Sequence, residues 1–331
     1  MLASWVRPEH QGIYIAPADI WIDPKDPQAN ALITHGHADH ARGGHGHVWA
    51  TSETLAIMSL RYGTEAGTAL NYGEELKRGG VTFSLHSAGH VLGSAQILMQ
   101  YCGERVLVSG DYKRRADPTC APFETTPCDI FITEATFGVP VFCHPPVEKE
   151  ISKLLARVAV NPDRCVLVGA YALGKAQRVI AELRRAGWAA PIYLHGALEK
   201  MCKLYGSLGV ELGDLRTVAD TPKEAMRGQI ILCPPSALND KWSRRMPDPI
   251  TAMASGWMAV RGRARQRNVE LPLIISDHAD WNELTATIEE LKPAETWITH
   301  GGEAGLLRWC ELHQFKAHAL AIVGRGDEDD G

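Results

Sequence analysis

At 331 residues, with 45% hydrophobic and 22% charged side chains, the chain has the composition of a globular protein of one large or two moderate domains. No apolar run reaches the roughly 18–20 residues a membrane span needs, and the start "MLASWVRPEHQG" lacks a basic-then-apolar export pattern. A net charge of −5 gives no support for a nonspecific nucleic-acid coat, though a local basic groove remains compatible with it.

The first third reads as β-rich. "GIYIA" and "DIWID" suggest a hairpin, and "ALITHG" a buried strand ending at its histidine. "SETLAIMSLRYG" fits a helix closed by Gly63. "VTFSLH" alternates apolar and polar residues, and "AQILMQY" and "ERVLVSGD" form two strands joined at Gly103. From Val147 helical spacing appears at Val147, Ile151, Leu154, Leu155 and Val158. "CVLVGA", "LGKAQRVIAELRRAG", "PIYLHG", "ALEKMCKLYGSLG" and "QIILCPP" then alternate as strand and helix, the pattern of a small parallel sheet. A strand in "PLIISDHAD", a helix "WNELTATIEELK" capped by Asp280 and Glu283, a strand "ETWITHGG" and a helix "EAGLLRWCELHQF" complete the series. The acidic tail "GDEDDG" reads as a solvated end. Eight scattered cysteines contain no CxxC pair, so a reduced, cytoplasmic protein is expected.

The segment from Ala31 to Trp49, "ALITHGHADHARGGHGHVW", concentrates five histidines and an aspartate. His35, His37, Asp39 and His40 follow a strand, and nitrogen and carboxylate donors so placed suit a borderline divalent metal. One short loop can serve two adjacent ions, and a pair of ions clamps a phosphodiester. His90, Asp111 and His300 stand at the ends of other strands, where loops converge. His45 and His47, in a glycine-rich loop, read as passengers.

These residues resemble the metallo-β-lactamase superfamily, with its αββα sandwich and dinuclear site. The long interval between Asp111 and His300 resembles the β-CASP insertion of nucleic-acid-processing members. "SGDYKR", "ITEATFG", "SDHAD" and "THGGE" resemble family motifs, the last with one glycine more than the usual pattern. Within that branch the segments "GIYIAPADIWIDP", "SGDYKRRADPTCAPFE" and "GWMAVRGRARQR" have the character of bacterial ligase-associated DNA exonucleases.

The resemblance implies an α/β fold in three parts: a metallo-β-lactamase domain over 1–146 and 271–331, and a β-CASP domain over 147–270. It implies two divalent ions, Zn²⁺ or Mn²⁺. His35, His37 and His90 would hold one, Asp39, His40 and His300 the other, and Asp111 would bridge them. Hydroxide held there would attack phosphorus, His278 would act as general acid and Glu134 would orient it; Asp39 counts with these as catalytic. Asp23 would support a ligand imidazole, with a structural turn before Pro24 as the competing reading. Lys175, Gln177 and Arg178 at a helix start, and Arg261, Arg263, Arg265 and Arg267, would contact nucleic acid. Lys113, Arg114 and Arg115 are further candidates near the scissile bond.

The implied function is a DNA repair exonuclease acting alongside an ATP-dependent DNA ligase and a helicase. An RNA-processing ribonuclease of the same architecture is the alternative, since the histidine at position 300 is also used by RNA-processing members. A catalytically silent nucleic-acid-binding scaffold is disfavoured because every expected ligand is retained. A lactamase or thioesterase would lack the insertion.

Overall fold

The computed structural model describes residues 3–63 and 66–320, so the acidic tail lies outside the described residues. The described residues divide into two compact units, the first built from residues 3–140 and 278–320 and the second from residues 141–277. Beside the expected 147–270, the second unit takes in the residues before its first helix and, after 270, its last strand Leu271–Leu273 with the loop that follows.

The first unit holds two sheets. One runs in order β1 (Val6–Glu9), β2 (Gly12–Ile15), β3 (Ile20–Ile22), β4 (Asn30–Leu32), β5 (His47–Ala50) and, after helix α1 (Ser52–Tyr62), β6 (Gly67–Ala69). Its first three strands pair antiparallel, including the expected β2–β3 hairpin, and its last three add in parallel. The second sheet contains β7 (Glu75–Arg78), β8 (Val81–Ser87), β9 (Ala95–Tyr101), β10 (Glu104–Val108) and β11 (Ile130–Ala135). It is completed by the last two strands of the chain, described below, alongside β11.

Alternation along these strands explains the layering. Ile97 and Met99 of β9, Val106 and Val108 of β10, and Ile130 and Ile132 of β11 join Ile13, Ile15, Ile20, Ile22 and Leu32 from the first sheet in one core. Leu98, Leu107 and Phe131, one residue out of step, face the opposite way into a second core. A two-residue side-chain period therefore feeds two cores from the same strands. On the outer face of the first sheet, Ala31, Ile33, Val48 and Ala50 bury Met58 of α1. Sheets and helices of this unit thus enclose three apolar clusters.

The second unit starts with α2 (Val147–Ala159) and contains β12 (Val166–Gly169), α3 (Lys175–Arg185), β13 (Ile192–Leu194), α4 (Gly196–Ser207), β14 (Leu215–Thr217), β15 (Ile230–Cys233), β16 (Ile250–Ala254), α5 (Arg261–Gln266) and β17 (Leu271–Leu273). Its six strands are all parallel, in the order β14-β13-β15-β12-β16-β17. Uninterrupted apolar runs such as Val166–Gly169 and Ile230–Cys233, buried at every position, are what a sheet covered on both faces requires.

The chain returns to the first unit with α6 (Trp281–Leu291), β18 (Glu295–Gly301), α7 (Glu303–Leu312) and β19 (Ala317–Ala319). The expected capping box is present: Glu283 N donates to Asp280 Oδ1 at 3.0 Å, and Asp280 N donates to Glu283 Oε2 at 3.1 Å. Leu284, Ile288, Leu306 and Cys310 place α6 and α7 against the second core.

The additional glycine of "THGGE" has a structural reason. Between Thr133 and Ala135 the β11–β18 register slips, with Thr133 opposite Ile298 but Ala135 opposite Gly301, so β18 bulges around His300. A bulge re-aims the side chain it carries. Gly301 has φ +97°, and a Cβ there would lie 2.3 Å from the Ala135 carbonyl oxygen. Gly301→Ala is expected to cost ~1–3 kcal/mol through strain and overpacking. Denaturant unfolding will read this as a lower midpoint at unchanged slope; an unchanged midpoint contradicts the bulge geometry.

Candidate metal centre

The centre is organised by Asp111, which is 2% exposed just beyond the C-terminal end of β10. His35 Nε2 lies 3.3 Å, His40 Nε2 3.4 Å, His90 Nε2 3.8 Å and His278 Nδ1 4.0 Å from its Oδ2. His300 Nε2 lies 3.3 Å from its Oδ1. The histidines come from the loop after β4, the β8–β9 loop, the loop before α6, and β18. His35, His40, His90 and His300 lie in or after the ends of strands of the two packed sheets, and His278 leads into α6, which is why residues so distant in sequence converge.

Among the described residues three close donor groups form: His35, His37, His90 and Asp111; His40, Asp111 and His300; and Asp111, Glu134 and His278. Within each, the potential ligand atoms lie within 4.8 Å of one another. Asp39 falls outside these close groups; it is half-buried, with Oδ2 3.5 Å from His40 Nε2. Its position adjoins the second group without closing on it.

Hydrogen bonds fix the imidazoles from behind. Asp23 is fully buried; its Oδ2 meets His40 Nδ1 at 2.8 Å, while its Oδ1 accepts from Thr34 N at 2.7 Å. The Thr34 hydroxyl donates to Asp23 Oδ2 at 2.6 Å and stands 3.0 Å from His35 Nδ1. Thr299 Oγ1 lies 2.8 Å from His300 Nδ1. Holding Nδ1 in this way turns Nε2 toward the centre and fixes the tautomer. Thr34 and Thr299 escaped sequence reasoning; each directly precedes a clustered histidine, but one hydroxyl carries no periodic signal. Arg61 of α1 also donates to the Gly36 carbonyl, tying the His35–His40 loop to its covering helix.

His278 and Glu134 form the third group. Glu134 Oε2 lies 2.9 Å from His278 Nδ1 and accepts from Thr136 Oγ1 at 2.6 Å. Its Oε1 accepts from Tyr112 N at 2.7 Å. Both carboxylate oxygens are therefore engaged, and the imidazole is held in one orientation. The ring of His278 lies 4.7 Å from that of His90.

The other basic and imidazole candidates are placed differently. Gln28 N donates to His45 Nδ1 at 3.1 Å; His47 meets Thr68 Oγ1 at 3.0 Å and packs on Trp49. Neither belongs to a donor group.

Three residues expected near the scissile bond form ion pairs within the first unit. Lys113 is buried against Asp117 at 2.6 Å, Arg114 pairs with Glu290, and Arg115 pairs with Asp280. Their charges are spent on the first unit's own acids.

The helix-start set of the second unit is likewise engaged by neighbouring groups. Lys175 is buried 3.2 Å from Asp277 Oδ2, and Arg178 donates to the Ser276 carbonyl. Gln177 is fully buried; its Oε1 accepts from Gly174 N at 2.8 Å. All three side chains are spent inside the second unit rather than offered at its surface. Arg261 and Arg265 are exposed and Arg263 and Arg267 half-buried.

Electrostatics favour a cation at the centre. Burial, with neighbouring His40, pushes the His35 pKa down to about 3, and burial drives His90 well below its usual value. Burial opposes ionisation of Asp111, but His40, His278 and His35 outweigh it and hold the carboxyl well below the usual range. His35 and His90 are thus held neutral, carrying lone pairs, beside an ionised Asp111. That nitrogen-and-oxygen donor set fits divalent metal ions.

No family model matches the chain. A probable DNA ligase from Opitutus terrae is 28% identical over 296 residues, covering 88% of this chain and 28% of that protein. Cleavage and polyadenylation specificity factor subunit 3 of Dictyostelium discoideum is 25% identical, covering 96% of this chain and 52% of its own length. Endoribonuclease YSH1 of Eremothecium gossypii is 28% identical over 54% of this chain and 28% of its own. The chain thus spans only a part of each of these relatives. A solved structure of an Enterococcus faecalis protein of unknown function shares the fold, with TM-score 0.60 and 12% identity over 90% of this chain and 80% of that one. The buried histidine–aspartate centre and the likeness to these relatives support the metallo-β-lactamase β-CASP family for this chain.

The centre makes stability pH-dependent. In the unfolded chain His35 takes a proton near its ordinary 6.5; in the folded chain it does so only near 3. The unfolded state therefore binds more protons in that window, and stability falls as pH drops through it. Urea unfolding of metal-free protein is expected to give midpoints that decline steadily below pH 6.5; a flat profile down to pH 4 contradicts the assignment.

Proposed function

We propose that the chain is a two-metal phosphodiesterase of the αββα sandwich and inserted β-CASP type, acting on DNA ends as an exonuclease. The observation that carries this reading is the sharing of Asp111 by two donor groups, with the His278–Glu134 pair beside them. In this reading His35, His37 and His90 hold one ion, and Asp39, His40 and His300 the other, with Asp111 common to both. Two such ions, zinc or manganese, lower the pKa of water and offset charge on a phosphodiester.

The chain's own residues supply the rest. Glu134 accepts a hydrogen bond from His278 Nδ1, which leaves Nε2 as the position from which a proton passes to the departing sugar oxygen. A carboxylate partner at Nδ1 also stabilises the charged imidazolium that a general acid has to present. Asp23 and Thr34 keep the ligand imidazoles in place as charge redistributes.

A DNA substrate is favoured by the probable DNA ligase, whose likeness covers 88% of this chain. A DNA ligase and a helicase are the functional partners this reading implies. RNA is the second reading, favoured by relatives named as an endoribonuclease and as a polyadenylation specificity factor subunit.

The test uses metal-loaded protein and its His278→Ala variant on end-labelled DNA and RNA of one sequence. Stepwise loss of DNA ends, reduced roughly 10²–10⁴-fold by the substitution, is expected from loss of a general acid. Preferential cleavage of RNA would move the assignment to the RNA-processing branch. Absence of cleavage with either zinc or manganese would overturn the nuclease reading.

A further inference from the structure

In the second unit, the chain leaving the carboxyl end of β16 builds a cavity of about 390 Å³. Ser255 caps the short turn Gly256–Ala259 by accepting from Trp257 N at 3.2 Å, and Trp257 packs edge-on against Phe142 with centroids 4.9 Å apart. This seats the indole at the wall, with Met253 and Met258 beside it. Residues of α5 and the turn after it supply the remaining wall: Arg263, Gln266 and Arg267.

Three observations converge on the ligand. First, two arginines and no carboxylate line the cavity, a lining suited to an anion. Second, the Arg263 guanidinium carbon stands 3.7 Å from the Trp257 ring centroid. That cation–π pairing holds a long side chain in place and reduces the entropy lost on binding. Arginine planes and aromatic faces are also what unpaired bases stack on.

Third, the topology singles out this end of the sheet. From β12 the chain passes to β13 on one side, and from β16 it passes to β17 on the other, so neighbouring β12 and β16 form the switch point of the sheet. Ligands of open parallel sheets bind outside the carboxyl ends of strands at such a point.

We propose that this cavity holds one nucleotide of the substrate strand, its phosphate on Arg263 and Arg267 and its base against Trp257 and Met258. The inference rests on the nucleic-acid reading above and deepens it by naming a binding subsite built wholly by the second unit. Phosphate binding carries no sequence information, so the subsite serves strands of any sequence.

The test is fluorescence anisotropy of a labelled 12-nucleotide single strand, as DNA and as RNA, with the full-length metal-free protein so that nothing is cleaved. Arg263→Gln/Arg267→Gln is expected to weaken binding roughly tenfold or more. The plot of log affinity against log salt should become shallower by about 0.7 for each phosphate that the variant no longer neutralises. Circular dichroism checks that the double variant is folded, and Arg263→Gln alone serves if it is not.

Unchanged affinity and salt slope in the folded variant would overturn the subsite while leaving the nuclease reading intact. Failure of wild-type protein to bind either strand would overturn both. Thymidine monophosphate binding as tightly as the 12-mer, with 12-mer affinity insensitive to the substitutions, would assign the cavity to free nucleotides instead. Loss in the variant of binding to an oligoglutamate peptide, with strand binding unaffected, would assign it to an acidic protein partner.

Discussion

One buried carboxylate, Asp111, faces five imidazoles within 4 Å, and the first unit is arranged to tolerate that crowding. Burying a charge is costly unless partners compensate. The fold meets the cost in two ways. Hydrogen bonds from Asp23, Thr34 and Thr299 lock the rings from outside the cluster. The remaining lone pairs then converge on positions a divalent cation fits, so the groups that look frustrated in the protein alone become ligands.

The same constraint explains the architecture around the centre. Two sheets with a shared core bring strand ends together, while α1 and the α6–α7 pair bury the outer faces. Loops carry the reactive groups, and rigid strands fix where the loops begin. The β18 bulge with Gly301 shows the fold giving up regular pairing where His300 must be aimed. Nearby, Lys113, Arg114 and Arg115 neutralise Asp117, Glu290 and Asp280, so the basic run after Asp111 consolidates α6 rather than reaching outward.

Much of this was legible in the sequence, for physical reasons. Strand β8 alternates apolar and polar residues over seven positions, which a two-residue period reveals, and β9 and β10 carry apolar runs on either side of the turn at Gly103. The cluster His35, His37, Asp39, His40 is chemically conspicuous because so many metal-binding side chains rarely adjoin. Other elements left little trace. Strands β6, β14 and β19 have three residues each, too short for a period to register, and β7 (Glu-Leu-Lys-Arg) is mostly polar. Basic residues were the hardest to place. Arg115 finds Asp280 across 165 positions and Arg178 finds Asp277 across 99, and neither partner is visible from local pattern. A lysine or arginine in a phosphate-binding sequence context therefore reads the same whether its charge is already spent or still available.

The most direct test of the account is metal stoichiometry. Purified protein loaded with zinc or manganese and freed of excess ion would be assayed by elemental analysis, beside Asp111→Ala. If Asp111 is the shared ligand, the wild type holds two ions per chain and the substitution removes both, or leaves one bound weakly. Two ions retained tightly by the variant, or none bound by the wild type, would contradict the central role given to Asp111.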